Sequence, residues 1–302
     1  MNELDFNLEC QTLGAAFARA KLRLDEKAPP AFKAAYQSYR GLRAFPSYFD
    51  RKCLSLRFSA VKRGMVLDPQ VDANFLETIT PKMCPVTLQQ FVIDAKSSSN
   101  PSLDRLVNEG TYAAGNVAMF SLKANRAKGE KTFEQVATIA ANGEPRDGLE
   151  SIEWMRLASL MYGAWSIAVR KADPYLLPLA TYPAPKAFTS ESQLVQWMLL
   201  RHCRNDVWPQ SMAVWKDATM VGGSSLEQFM DFASALHGAV HAEAFPPTAW
   251  LYPAVFDGFV SWYGDCKPAI SALMESFRQR FQGGVDPEAI AEHWRVGSRY
   301  LV

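Results

Sequence analysis

The sequence predicts an α+β protein that is predominantly helical, with one small region of short strands near its middle. Apolar residues recur at helical spacing in both the N-terminal and the C-terminal parts of the chain. Strand-like runs bounded by turn residues are concentrated in residues 101–121. Hydrophobic residues make up 48% and charged residues 21% of the 302 residues, which is typical of a globular protein with a full core.

Residues 1–79 are predicted to form a basic, helical N-terminal region. Apolar spacing indicates a helix within residues 5–24, and a second helix is expected from residue 31 to about residue 43. Apolar residues alternate with polar ones in residues 51–63, which predicts a strand with exposed cations. A connection or a short helix then leads into the central region.

The charge of the N-terminal part favours contact with DNA. Residues 1–63 contain 12 Lys/Arg against 6 Asp/Glu, although the whole chain carries a net charge of only +1. Arg40 and Arg43 lie near Tyr36 and Tyr39, and basic residues among aromatic ones suit nucleic-acid binding through charge and base stacking. The alternative is that these tyrosines pack against the protein and the cations lie on a solvated helix face.

Residues 80–141 form the predicted central region, which reads as strand, loop, strand and helix. The strands are expected at Ser102–Leu106 and Val117–Phe120. Turn residues lie between them, at 108–110 and 115–116. Ser121 suits a helix N-cap, and the good helix formers that follow end at Gly129.

A set of residues in this region stands in an order known from one protein family, namely Ser102, Leu103, Asp104, Arg105, Gly110, Tyr112, Gly115, Asn116, Val117, Asn125, Arg126 and Lys128. Their order resembles the ββα-metal nucleases, also called HNH or His-Me finger nucleases, in the S-L-D-R-I-D…G-Y…G-N-V…N-R variant common in phage and mobile-element proteins. Upstream, Cys84-Pro85-Val86-Thr87 looks like the Cys-Pro element that often precedes the motif.

The resemblance implies a divalent-metal-dependent DNA endonuclease with a central ββα-metal module flanked by helical regions. Asp104 and Asn125 would bind Mg²⁺ or Mn²⁺, and Asn116 would brace the hairpin loop. The implied catalytic set is Asp104, Arg105, Asn116 and Asn125. The predicted DNA-binding residues are Arg40, Arg43, Lys123, Arg126 and Lys128.

Arg105 departs from the usual motif, in which a histidine follows the aspartate and acts as general base. An arginine stays protonated near neutral pH and cannot take a proton from water, so Arg105 would instead hold a phosphate or act as a counter-ion to Asp104. Three explanations remain open within the family. The protein cleaves DNA with another residue as base, or it cleaves weakly with a metal-bound hydroxide. In the third, the site is decayed and the protein only binds DNA or has a regulatory role. Outside the family, Asp104 and Arg105 would be a turn-bracing ion pair of an unrelated α+β domain.

Residues 149–302 are predicted to form an aromatic-rich helical C-terminal domain. Breaker residues at 141–148 mark the boundary, and all eight tryptophans lie beyond it. This domain suggests a second alternative to a DNA endonuclease, namely a protein-interaction module or a surface for self-association. Helices are expected at about 149–170, 190–204, 225–243, 267–281 and 287–295.

The remaining sequence features indicate a cytoplasmic protein without a membrane segment. The N-terminus contains acidic residues and lacks an apolar signal core, and the longest apolar run is too short to cross a membrane. The five cysteines include no C-x-x-C pair, so free thiols and no structural zinc are expected. His237 and His241 are four residues apart on a predicted helix, and a structural pair is favoured over a metal site.

Overall fold

The computed structural model is predominantly helical, and its described residues contain one two-stranded antiparallel sheet. It describes residues 3–65, 67–94, 96–169, 176–180, 190–204, 208–281 and 292–294. The elements are α1 (Glu3–Arg19), α2 (Pro30–Ser38), α3 (Tyr48–Lys62), α4 (Ala73–Ile79), β1 (Pro101–Arg105), β2 (Val117–Ser121), α5 (Leu122–Lys128), α6 (Phe133–Asn142), α7 (Ser151–Ala168), α8 (Glu191–Cys203), α9 (Trp208–Gly222), α10 (Leu226–Ala242), a 3₁₀ helix (Pro246–Leu251) and α11 (Pro253–Phe281). The predicted helical character is confirmed.

Helices α1, α2 and α3 pack around three phenylalanines. The rings of Phe17 and Phe32 have centroids 5.1 Å apart. The ring of Phe58 on α3 lies 5.4 Å from the first and 4.7 Å from the second. Each aromatic side chain removes a large apolar area from water, so this cluster holds the N-terminal helices together.

The predicted strand at residues 51–63 is wrong, because these residues belong to helix α3. Ser47 and Asp50 form a capping box that satisfies backbone N–H groups at the start of the helix. Leu54, Phe58 and Val61 are spaced by four and three residues, and all three belong to the N-terminal cluster. The alternation that suggested a strand was a coincidence within a helical pattern.

A second buried cluster joins the hairpin, α5, α6 and α7. It contains Phe120 from β2, Phe133 and Val136 from α6, and Trp154 from α7. The turn between α6 and α7 includes Gly143 in the left-handed region, as expected for a helix C-cap. This cluster spans the predicted boundary at residues 141–148, and the three-region division stays a prediction.

A third buried cluster joins α8, α9, α10, the 3₁₀ helix and α11 around Trp215, Trp250 and Trp262. Helix α9 was not expected from the sequence, because the exposed Met220 and Val221 blur its apolar stripe. Helix α11 begins at Pro253, whereas the sequence placed a helix from residue 267. The predicted helix at 287–295 lies outside the described residues except for 292–294.

All five cysteines are free, and four of them are buried. No described helix is both long and apolar enough to cross a membrane.

Candidate functional site

The candidate site is the hairpin–helix segment, which we define as residues 101–128. Strands β1 and β2 pair antiparallel, with Asp104 opposite Ala118. Helix α5 starts immediately after β2, because the Ser121 side chain accepts a hydrogen bond from the Ala124 N–H at 3.2 Å and caps the helix. The backbone N–H of Ser121 donates to the buried Cys84 Sγ at 3.2 Å, so the Cys-Pro stretch lies against this junction.

Two contacts hold α5 against β1. The Asn125 amide donates to Ser102 Oγ at 2.6 Å, and the Lys128 ammonium donates to Asp104 Oδ2 at 3.0 Å. Residues two apart share a face of a strand, and residues three apart share a face of a helix. Ser102 and Asp104 therefore lie on one face of β1, and Asn125 and Lys128 lie on one face of α5. These two faces meet, which places Asp104 and Asn125 at the same interface.

Lys128 lies inside the protein, at a position where the sequence predicted a phosphate contact. Its side chain is fully buried, whereas the Asp104 side chain is 17% exposed. The ammonium group also donates to Asn108 Oδ1 at 2.7 Å and to the Gly129 carbonyl at 3.4 Å. In this position it cannot reach a DNA backbone, so the structure does not support Lys128 as a DNA-binding residue.

The charge state of Lys128 reflects opposing effects. Burial lowers the pKa of the ammonium group, because the charged form loses its hydration. The carboxylate of Asp104 raises that pKa, and the positive charge of Arg105 lowers it. The net direction is downward, so desolvation outweighs the ion pair.

Arg105 braces the hairpin loop. Its Nη1 donates to the carbonyl oxygens of Asn108 and Gly110, the latter at 3.1 Å. Its guanidinium carbon lies 5.1 Å from the centroid of the Tyr112 ring, within the range of a cation–π contact. Its Nε is buried and, among the described residues, has no hydrogen-bond partner. The guanidinium thus faces the loop, and the ion pair of Asp104 is made with Lys128.

Asn116 uses both ends of its side-chain amide to bind the loop backbone. It is fully buried, and its Oδ1 accepts from the Val107 N–H at 2.8 Å. Its Nδ2 donates to the carbonyls of Val107 at 3.1 Å and Thr111 at 2.8 Å. A Cβ at Gly110 would lie 2.6 Å from this Nδ2, which explains why a glycine stands there. Asn116 therefore holds the loop together from inside.

The other predicted DNA-binding residues lie outside this cluster of contacts. Arg126 is exposed on α5. Lys123 forms an ion pair with Glu153 of α7 at 3.1 Å. Arg40 and Arg43 are exposed in the connection between α2 and α3.

Sequence reasoning missed the residues that approach the loop from the C-terminal end of the chain. The Trp294 carbonyl accepts from the Thr111 N–H at 2.7 Å, and the Trp294 indole donates to the Ala114 carbonyl at 3.1 Å. His293 lies 2.7 Å from Asp68 through its Nε2. No local sequence signal could reveal these contacts, because 180 residues separate Trp294 from Ala114.

With Lys128 paired to Asp104, the arrangement disfavours a divalent cation. Asp104 already forms an ion pair with the buried ammonium of Lys128, and Arg105 places a further positive charge close by. These two cations outweigh the one carboxylate, so an incoming divalent cation would meet a net positive charge. Among the described residues, no three His, Cys, Asp or Glu side chains group as cation ligands.

Comparisons with protein-family models, with curated proteins and with solved structures found no match to this chain. The resemblance to the HNH nucleases therefore depends on the motif residues themselves.

Proposed function

We propose that this chain is a nucleic-acid-binding protein built on an HNH-like ββα module, in which Lys128 supplies the positive charge that a metal ion would supply. The observation that carries the proposal is the buried ammonium of Lys128, which contacts oxygens of Asp104, Asn108 and Gly129. Oxygen atoms of these types are the ligands that a hard cation prefers. The nucleic-acid ligand follows from the motif order, Asp104 to Asn125, together with the exposed Arg126.

The same contacts support binding over hydrolysis. Hydrolysis needs a group that takes a proton from water, and Arg105 cannot do this. The Lys128 ammonium donates to Asp104 Oδ2, so this carboxylate oxygen already has a partner. The Asn125 amide is engaged by Ser102. Each group that would act in a metal-dependent nuclease therefore has a structural partner.

The test is a binding and cleavage assay with plasmid and structured DNA, in Mg²⁺, in Mn²⁺ and in EDTA. We expect binding in EDTA that weakens steeply with added salt, because each neutralised phosphate releases counterions. Arg126→Glu should weaken binding to all sequences alike, whereas Lys267→Glu, on the exposed face of α11, should not. Affinity that is indifferent to salt and to Arg126→Glu would contradict nucleic-acid binding.

The second candidate is the divalent-metal-dependent endonuclease itself. One observation favours it: Asp104 is partly exposed, and among the described residues only its Oδ2 is hydrogen-bonded. When bound, a metal ion would supply Lewis-acid stabilisation of the scissile phosphate. Asp104 and Asn125 are the residues that would hold it. Cleavage in Mg²⁺ or Mn²⁺ that stops in EDTA would establish this candidate in place of the first.

Lys128→Met separates the two candidates. If Lys128 is the resident cation, removing its charge frees oxygens of Asp104 and Asn108, and we expect Mn²⁺ binding to appear in the variant only. Isothermal titration calorimetry measures this directly, with circular dichroism as the check on folding. Lys131→Met is the matched control, because Lys131 pairs with Asp147 instead. Equal Mn²⁺ affinity in wild type and Lys128→Met would contradict the proposed role.

A further inference from the structure

The loop between α2 and α3, residues 39–46, carries the two most exposed of the large apolar side chains in the described part of the chain. Leu42 is 91% exposed and Phe45 is 90% exposed. Single exposed apolar residues are common on protein surfaces. Leu42 and Phe45 are three residues apart and almost fully exposed, so they form an apolar projection. Its contact with water is unfavourable, and covering it with a partner would be favourable.

The backbone of this loop is held in place. The Ala44 N–H donates to the Arg19 carbonyl at 2.8 Å, which ties the loop to the end of α1. The Tyr39 hydroxyl donates to the Leu42 carbonyl at 2.8 Å. A Cβ at Gly41 would lie 2.6 Å from that hydroxyl, so the turn closes tightly over the Tyr39 ring. The apolar pair is therefore presented on a fixed turn.

The surroundings of the apolar pair are positively charged. Residues 19–24 and 38–49 contain five cations and no acid, namely Arg19, Lys21, Arg23, Arg40 and Arg43. The Lys21 ammonium lies 4.4 Å from the centroid of the Phe45 ring. Exposed apolar side chains surrounded by cations complement a ligand that has a negatively charged surface and an apolar interior.

We propose that residues 39–46 form a wedge for duplex DNA, in which Leu42 and Phe45 enter the minor groove and partly unstack a base step. Leucine and phenylalanine are among the side chains that insert between base pairs and kink the duplex. Arg40 and Arg43 hold the flanking phosphates. The proposal goes beyond the hairpin–helix segment, shares with the proposed function only the class of ligand, and does not depend on Lys128 or Arg126.

The test compares wild type with Leu42→Ser/Phe45→Ser, using a duplex that carries 2-aminopurine, whose fluorescence rises when its base step unstacks. We expect the wild type to raise this fluorescence and the variant to lose that signal. The variant's affinity should fall roughly tenfold, because base contacts of apolar and aromatic side chains contribute on that scale. Met220→Ser/Val221→Ser removes two exposed apolar side chains at the end of α9 and should change neither quantity.

Folding does not confound this comparison, since both substitutions remove side chains that lie in solvent. An unchanged affinity and fluorescence in Leu42→Ser/Phe45→Ser would overturn the wedge, and so would tighter binding to the single strand than to the duplex. Loss of binding to phosphatidylglycerol vesicles with no effect on DNA would also overturn it. Arg126→Glu distinguishes the two proposals. If only Arg126→Glu loses DNA binding, the hairpin–helix segment binds DNA and the wedge is wrong. If only Leu42→Ser/Phe45→Ser loses DNA binding, the wedge is supported and DNA binding by the hairpin–helix segment is not.

Discussion

Asp104→Ala is expected to lower the free energy of unfolding by about 3–5 kcal/mol, because it leaves the buried ammonium of Lys128 without its carboxylate. The Lys128 side chain is fully buried, so its ammonium group depends on the partners that the protein supplies. From the motif alone, Asp104→Ala would be expected to leave the fold intact, but the ion pair gives Asp104 a part in the stability of the fold. Urea denaturation followed by tryptophan fluorescence measures the change.

Two further variants test the cause. Asp104→Ala/Lys128→Met removes both charges and should recover most of the lost stability, because no buried charge remains. Glu9→Ala breaks the ion pair with Arg57, whose side chain is 35% exposed, and should cost only about 0–1 kcal/mol. A similar loss of stability in all three variants would show that the ion pair of Lys128 is not special.

The pH dependence of Asp104→Ala follows from the same pair. Burial already lowers the pKa of Lys128 in the folded protein, and removing the opposing carboxylate lowers it further. In the unfolded chain the lysine titrates near its ordinary value of about 10.4. Between these two pKa values the unfolded state binds more protons, so stability rises with pH. We expect the loss caused by Asp104→Ala to shrink as the pH approaches 10 in denaturation curves.

The elements that the sequence predicted best are those with both a cap and a pattern. Helix α5 was expected from Ser121 to Gly129, and the structure places its cap and its end at those residues. The strands β1 and β2 were placed to within one residue, because turn residues bound them on the loop side. Residues 51–63 were misread because a short apolar alternation also occurs in helix α3, whose N-cap, Ser47, was not recognised.

For the candidate site, the sequence named residues but could not give their partners. The motif pointed to Asp104, Asn116 and Asn125, and in the structure Asp104 and Asn125 lie where α5 packs on β1. Which oxygen the Lys128 ammonium approaches depends on how α5 packs on β1, and sequence spacing does not determine that packing. The contact of Trp294 with the loop was equally hidden, since it joins residues far apart in the chain.

Asn116→Ala is expected to lower the free energy of unfolding by roughly 2 kcal/mol or more. It leaves the buried Val107 N–H and the partly buried Thr111 carbonyl without their partner, whereas the Val107 carbonyl keeps its hydrogen bond from the Gly110 N–H. Each unsatisfied buried group costs about 1–3 kcal/mol. Thermal denaturation followed by circular dichroism measures this loss.

Asn116→Asp tests whether hydrogen bonding or volume is responsible. Aspartate has nearly the same shape and can still accept from the Val107 N–H, but it cannot donate to either carbonyl. It also places a buried negative charge beside two carbonyl oxygens. Asn116→Asp should therefore lower the free energy of unfolding by at least as much as Asn116→Ala does. Asn74→Ala, at an exposed position of α4, is the control and should stay within about 0.5 kcal/mol of wild type. A stable Asn116→Asp would show that Asn116 fills space and does not hold the loop through its amide.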